Sequence, residues 1–221
     1  MSTTSLIPVV EFEPCSFGTH QSPAATGPED PAAWDAYWRR CLMDSGITDL
    51  EPISLGSWHV PTDRIRSTST LRALIREHLS DDPTDADEVS PLYGGFVLRV
   101  EESEIQPTCC GDLSNLEEWL KASDHRGEAW SQIWIGHPWT HVREREDVLE
   151  FSELGESMPN GSLSVLIRVS RDELREAIEI ARTELSAFRA RLQPVLDTLD
   201  SKIPTELLLK SLVPRDSPRR K

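Results

Sequence analysis

Long apolar runs are missing from this 221-residue chain. No stretch approaches the ~20 consecutive apolar residues that span a bilayer. Met1 to Pro14 also lacks the basic start and apolar middle of an export signal. A cytoplasmic location is therefore expected. Cysteine is scarce: Cys15, Cys41, Cys109 and Cys110 are too few and too irregularly spaced for the disulfide framework of a small secreted domain. Thiols are expected. Basic residues are short as well, with 23 Lys+Arg against 38 Asp+Glu and a net charge of −15. A surface of that sign repels phosphate backbones, which argues against general nucleic-acid binding. The chain has no phosphate-binding glycine loop, dinucleotide fingerprint, zincin helix or serine-elbow string. The common enzyme classes fall away, and the balance tilts toward a non-enzymatic role.

What is present suits a folded protein. At 38% hydrophobic and 28% charged, the composition supports a core without metal or disulfide staples. The acidic excess is concentrated. Asp81, Asp82, Asp85, Asp87, Glu88, Glu101, Glu102, Glu104, Asp112, Glu117 and Glu118 face only Arg99 in that stretch and carry −10 of the net −15. Such a flank keeps a protein soluble and suits docking to a basic protein partner; Asp81, Asp82, Asp85, Asp87, Glu88, Glu101 and Glu102 are the candidate contact residues. The C-terminus is basic instead, and residues 214–221 are expected to form a disordered tail.

Periodicity divides the rest. Leu6 to Phe12 reads as a strand, and Asp30-Pro31 caps and opens a helix whose buried face is Trp34, Tyr37, Trp38, Cys41 and Leu42. A short strand is expected within Pro52 to Val60, and a helix over Thr70 to Leu79 capped by Ser69. After an acidic loop, Tyr93-Gly94-Gly95 opens a strand through Val100 that pairs with Ile105 to Cys110 across Glu102-Ser103, and Leu113 to Ala122 forms a helix. Ile133 to Gly136 reads as a strand, Thr140 to Arg145 and Val148 to Phe151 as a hairpin, and the alternation from Leu163 to Val169 as the clearest strand. Ser170 with Glu173 makes a capping box for a long helix, which Pro194 should kink or end near Leu192. Its apolar stripe from Leu174 to Leu199, spaced 4-3-4-3-4-3-4, either packs within the fold or forms a homodimer seam. The fold class is α+β: a mainly antiparallel meander with N-terminal helices and a long C-terminal helix packed on it. Residues 1–80 and 81–213 form two parts, or a single domain 1–213.

Two strings do not read as plain folding signals: Pro107-Thr108-Cys109-Cys110-Gly111-Asp112-Leu113 and Trp134-Ile135-Gly136-His137-Pro138-Trp139. With the helix around Trp119 and the helix from Arg171, they resemble a group of uncharacterised bacterial proteins. The resemblance covers about three-fifths of the chain. It implies a bacterial, cytoplasmic protein and carries over no functional residue. In composition the chain is also similar to small acidic immunity proteins of bacterial toxin systems.

Three readings of the strings stay open. Cys109 and Cys110 with His137 and His141, or His125, make a soft set suited to zinc, although adjacent cysteines lack the usual two-to-four-residue ligand spacing. Cys109 or Cys110 at a helix N-terminus is alternatively a nucleophile with His137 as base and Asp112 orienting it. Or the thiols and the capping Asp112 are structural. Trp119, Trp130, Trp134 and Trp139 floor a pocket or fill the core. The leading expectation is a protein-binding, immunity-like role; the alternative is a small enzyme or zinc module at Cys109, Cys110, Asp112 and His137. All these elements are expected to meet in one sheet unit.

Overall fold

The computed structural model describes residues 4–24, 29–156 and 163–214, so the basic residues of the expected tail lie outside the described residues. The elements are β1 (Thr4–Glu11), α1 (Pro14–Phe17), α2 (Pro31–Asp44), β2 (His59–Pro61), α3 (Thr68–His78), β3 (Gly94–Val100), β4 (Ser103–Ile105) and α4 (Leu116–Asp124). They continue as β5 (Ser131–Ile133), β6 (Thr140–Arg145), β7 (Val148–Ser152), β8 (Val165–Ser170), α5 (Arg171–Leu196) and α6 (Thr205–Leu212). Among the described residues two antiparallel four-stranded sheets, ordered β2-β1-β3-β4 and β5-β6-β7-β8, make the protein α+β. Among the described residues no helix is long and apolar enough to cross a membrane.

The described chain divides into two compact units. Residues 9–24, 29–92 and 187–213 form one, and residues 4–8, 93–156, 163–186 and 214 the other. In the first, Asp30 accepts from the Ala33 N–H and Pro31 opens α2, while Gly46 at φ +73 ends it. Trp38 is fully buried and donates its indole N–H to the Phe12 carbonyl at 2.9 Å. The cap of α3 is Ser67, two residues before the expected Ser69. Ser67 is the residue in extended backbone, and the Ser69 hydroxyl pairs with its oxygen at 2.6 Å.

The second unit contains the meander β5-β6-β7-β8, turned between β6 and β7 by Glu146 and Asp147, both at positive φ (53° and 63°) as a two-residue hairpin demands. Trp119 on α4 is fully buried, its ring 5.7 Å from Phe151 of β7. Arg171 holds the end of α4 by donating to the carbonyls of Ser123 and His125 and to Glu144. Two strands fall elsewhere than expected. Val100 pairs with Ser103, so β4 is Ser103–Ile105 rather than Ile105 to Cys110, because the tight turn at Glu101-Glu102 draws the partner strand forward. β5 likewise ends at Ile133, before Gly136. Residues 106–112 and 134–139 are thereby released from the regular strands.

α5 begins with the expected box: Ser170 and Glu173 exchange side-chain-to-backbone hydrogen bonds at 3.1 and 3.2 Å. It passes through Pro194 to Leu196 instead of ending near Leu192. The proline stands so close to the C-terminus that little helix remains to be disrupted, and Asp197 still donates to the Gln193 carbonyl at 3.0 Å. Leu174, Ile178, Ala181, Leu185, Phe188, Leu192 and Val195 are all buried within the chain. From Leu174 to Val195 the stripe is core and does not stand open as a homodimer seam, while Leu199 is only partly buried.

Candidate functional site

The residues released from β4 and β5 pair with each other. Thr108 donates its N–H to Ile135 O at 3.0 Å, and His137 donates to Cys109 O at 2.9 Å, setting Cys109 and His137 opposite one another in an antiparallel bridge. The Thr108 hydroxyl adds a bond to Pro138 O at 2.9 Å, and the His137-Pro138 peptide is cis. Gly94 donates to Gly111 O at 2.9 Å, which ties the same turn to the start of β3, where Tyr93 bridges Asp112. Glycine is required at two points. A Cβ on Gly111 would stand 2.6 Å from Gly94 O, and one on Gly136, at φ +110, 2.4 Å from Thr108 O. The two strings therefore lie against each other.

The thiols of Cys109 and Cys110 are exposed, with their sulfurs 3.3 Å apart. Successive side chains of an extended strand point to opposite faces. Cys110 breaks that alternation by adopting φ +68, a left-handed conformation that few non-glycine residues take. Asp112 is engaged elsewhere. Its Oδ1 accepts from the Ser114 N–H (2.7 Å) and hydroxyl (2.5 Å), while Asn115 accepts from the Asp112 N–H, so the carboxylate caps the short 3₁₀ turn leading into α4. It is not directed at His137, whose exposed ring lies edge-on to Trp139 at 4.9 Å.

His141 is separate from this turn. It is fully buried on β6 opposite Gln132, and neither ring nitrogen has a hydrogen-bond partner. His125 sits at the end of α4. Among the described residues no group of three or more His, Cys, Asp or Glu side chains gathers in metal-holding geometry, the set Cys109, Cys110, His137 and His141 included.

Burial holds the His141 pKa below the ordinary histidine value. The unfolded chain then takes up a proton near pH 6.5 that the folded chain refuses, so the contribution is complete above that pH and is lost as pH falls toward the lowered value. Burial lowers His78 in the same direction. Urea unfolding between pH 7.5 and 5.5 should show stability declining with acid. His141→Phe should flatten the slope by up to about 1.4 kcal/mol per pH unit; an unchanged slope would mean that His141 titrates normally.

Of the four tryptophans, one takes the expected core role. Trp119 is core and Trp130 lies under the Arg143 guanidinium at 4.4 Å. Trp134 is 41% exposed near Trp139, its backbone N–H donating to Glu118 at 3.4 Å. Tyr93 and Leu154 are also exposed in this unit; the sequence marks Tyr93 only as the start of a strand and gives no sign of Leu154. Nor did it find Glu150, a buried carboxylate on β7 in register with Arg143 and Arg168 of the flanking strands and bonded to them at 2.7 and 2.9 Å. Burial alone would raise its pKa, but the hydrogen bonds from Arg168 and Arg143 outweigh it and hold the carboxyl below its usual range. In the sequence Arg143, Glu150 and Arg168 are charged residues among other polar ones on three strands, which says nothing about register.

Comparison of the chain with protein-family models, with curated proteins and with solved structures gave no match.

Proposed function

We propose that this is a non-enzymatic binding protein for a basic protein partner, in the manner of the small acidic proteins that neutralise bacterial toxins. The observation that carries the reading is that Asp81, Asp82, Asp85, Asp87, Glu88, Glu101 and Glu102 are all exposed. The first five belong to one unit and the last two to the other. Exposed carboxylates steer an oppositely charged partner at low ionic strength, and that attraction fades beyond a Debye length of about 8 Å at physiological salt. The exposed Trp134 and Tyr93 supply the kind of aromatic anchor on which interfaces concentrate binding energy.

Neutralising Asp81, Asp82, Asp85, Asp87 and Glu88 together to Asn and Gln should reduce capture of a basic partner from bacterial lysate by about tenfold or more. Raising the salt should do the same to the native protein. Capture that is indifferent to both changes would remove the reading. A second reading, a small enzyme or zinc module at Cys109, Cys110, Asp112 and His137, is favoured by the pairing of Cys109 with His137. Metal retained by the purified protein, or turnover lost on His137→Ala, would bring that reading to the front.

A further inference from the structure

We propose that Cys109 and Cys110 form a two-thiol chelating site for a trivalent, thiophilic centre of the arsenic(III) class. The case does not depend on the binding role above. It starts from the backbone. Cys110 is held at φ +68 between the Cys109–His137 bridge and a Gly111 that admits no Cβ. A strained residue that the surrounding structure over-determines is a pointer to function. Here its effect is to turn two neighbouring thiols to the same side, exposed, with 3.3 Å between the sulfurs.

That distance, a thiol–thiol contact in the unbound pair, needs little change to admit a centre that bonds two sulfurs at a narrow angle. With sulfur bonds of about 2.3 Å, a linear centre needs sulfurs about 4.6 Å apart and a tetrahedral one about 3.8 Å. A separation of 3.3 Å corresponds to an angle near 90° at such a centre. A near-right angle is the geometry of a pyramidal trivalent metalloid bonding through its p orbitals. Such a centre also needs no third protein ligand, in keeping with the absence of a larger His/Cys/Asp/Glu group among the described residues. Closing the pair into a disulfide is harder. It would draw the sulfurs to about 2.05 Å while the two Cα atoms stay about 3.8 Å apart, short of the 4.4–6.8 Å that disulfides usually span.

The step balances without redox chemistry. An organoarsenic(III) oxide loses its oxygen, two arsenic–sulfur bonds form, two S–H bonds break, and both protons leave with the oxygen as water. Arsenic stays trivalent throughout.

Phenylarsine oxide added to the reduced full-length protein should bind one equivalent per chain, seen by intact mass as one phenylarsenic group in place of two hydrogens. The adduct should survive excess 2-mercaptoethanol and be removed by 2,3-dimercaptopropanol. Cys109→Ser and Cys110→Ser should each weaken retention by about 100-fold or more, the advantage an intramolecular second bond confers. Cys15→Ser should change nothing, since Cys15 is the exposed thiol outside the pair. Cys110→Gly separates chemistry from folding: relieved of a left-handed side chain, it should melt higher than the native protein yet fail to hold the arsenical. Monothiol-resistant binding that persists in either serine variant would overturn the proposal. So would release of the native adduct by 2-mercaptoethanol, or isolation of the native pair as an intramolecular disulfide from reducing cells.

Discussion

Gly136→Ala should lower the unfolding free energy by about 3 kcal/mol or more, enough to unfold a marginal domain. Part of this is backbone strain of about 1–3 kcal/mol, because an alanine would have to adopt φ +110. The rest is steric. The new Cβ would lie 2.4 Å from Thr108 O and 2.6 Å from Cys109 O, both backbone atoms with no rotamer by which to move aside. Relief requires opening the Thr108–Ile135 and His137–Cys109 hydrogen bonds, each worth about 0.5–1.5 kcal/mol net. Gly127→Ala is the matched control. It stands at φ +101 with nothing within 4 Å of the added Cβ, so it should show the strain alone. Denaturant midpoints of the two variants give the comparison directly. Equal losses would mean that the two loops are not docked as described.

Trp119→Ala should be destabilising by about 3–5 kcal/mol, whereas Trp119→Phe should lose no more than about 1.5 kcal/mol. The indole is fully buried against Phe151, so truncation to alanine removes its contacts and leaves a cavity between α4 and the meander. Its Nε1 is buried with no hydrogen-bond partner. An orphaned donor of that kind is a liability of about 1–3 kcal/mol. Phenylalanine abolishes it while keeping most of the apolar contact. Calorimetric melting of both variants tests the pair. A large loss in Trp119→Phe would show that the indole N–H has a partner after all.

How much of this was legible beforehand follows from the range of each signal. The Asp30-Pro31 start of α2, the Glu146-Asp147 turn and the Ser170/Glu173 box rest on neighbours within a few residues, and each stands where the sequence places it. The cap of α3 and the start of β4 moved by two residues, because Ser67 and Ser69 are chemically alike and a two-residue hairpin leaves few local marks. The candidate site was legible as a parts list: Cys109, Cys110, Asp112 and His137 are unusual residues in unusual strings. Their geometry was not. Asp112 serves the cap beside it, and His141, similar in sequence to any other candidate ligand, is buried away from the thiols.

The amino-acid order by itself determined the α+β character, the acidic balance, and the placing of two adjacent cysteines before a glycine and a capping aspartate, because periodicity, charge and turn chemistry act over short separations. Tertiary structure alone decided that residues 107–112 lie against residues 134–139, that Cys110 turns left-handed to bring its sulfur beside that of Cys109, and that the Leu174–Val195 stripe is core rather than interface. Those outcomes depend on which backbone edges and apolar faces meet across long loops. No single stretch of side chains encodes that choice; the closing of the whole core selects it.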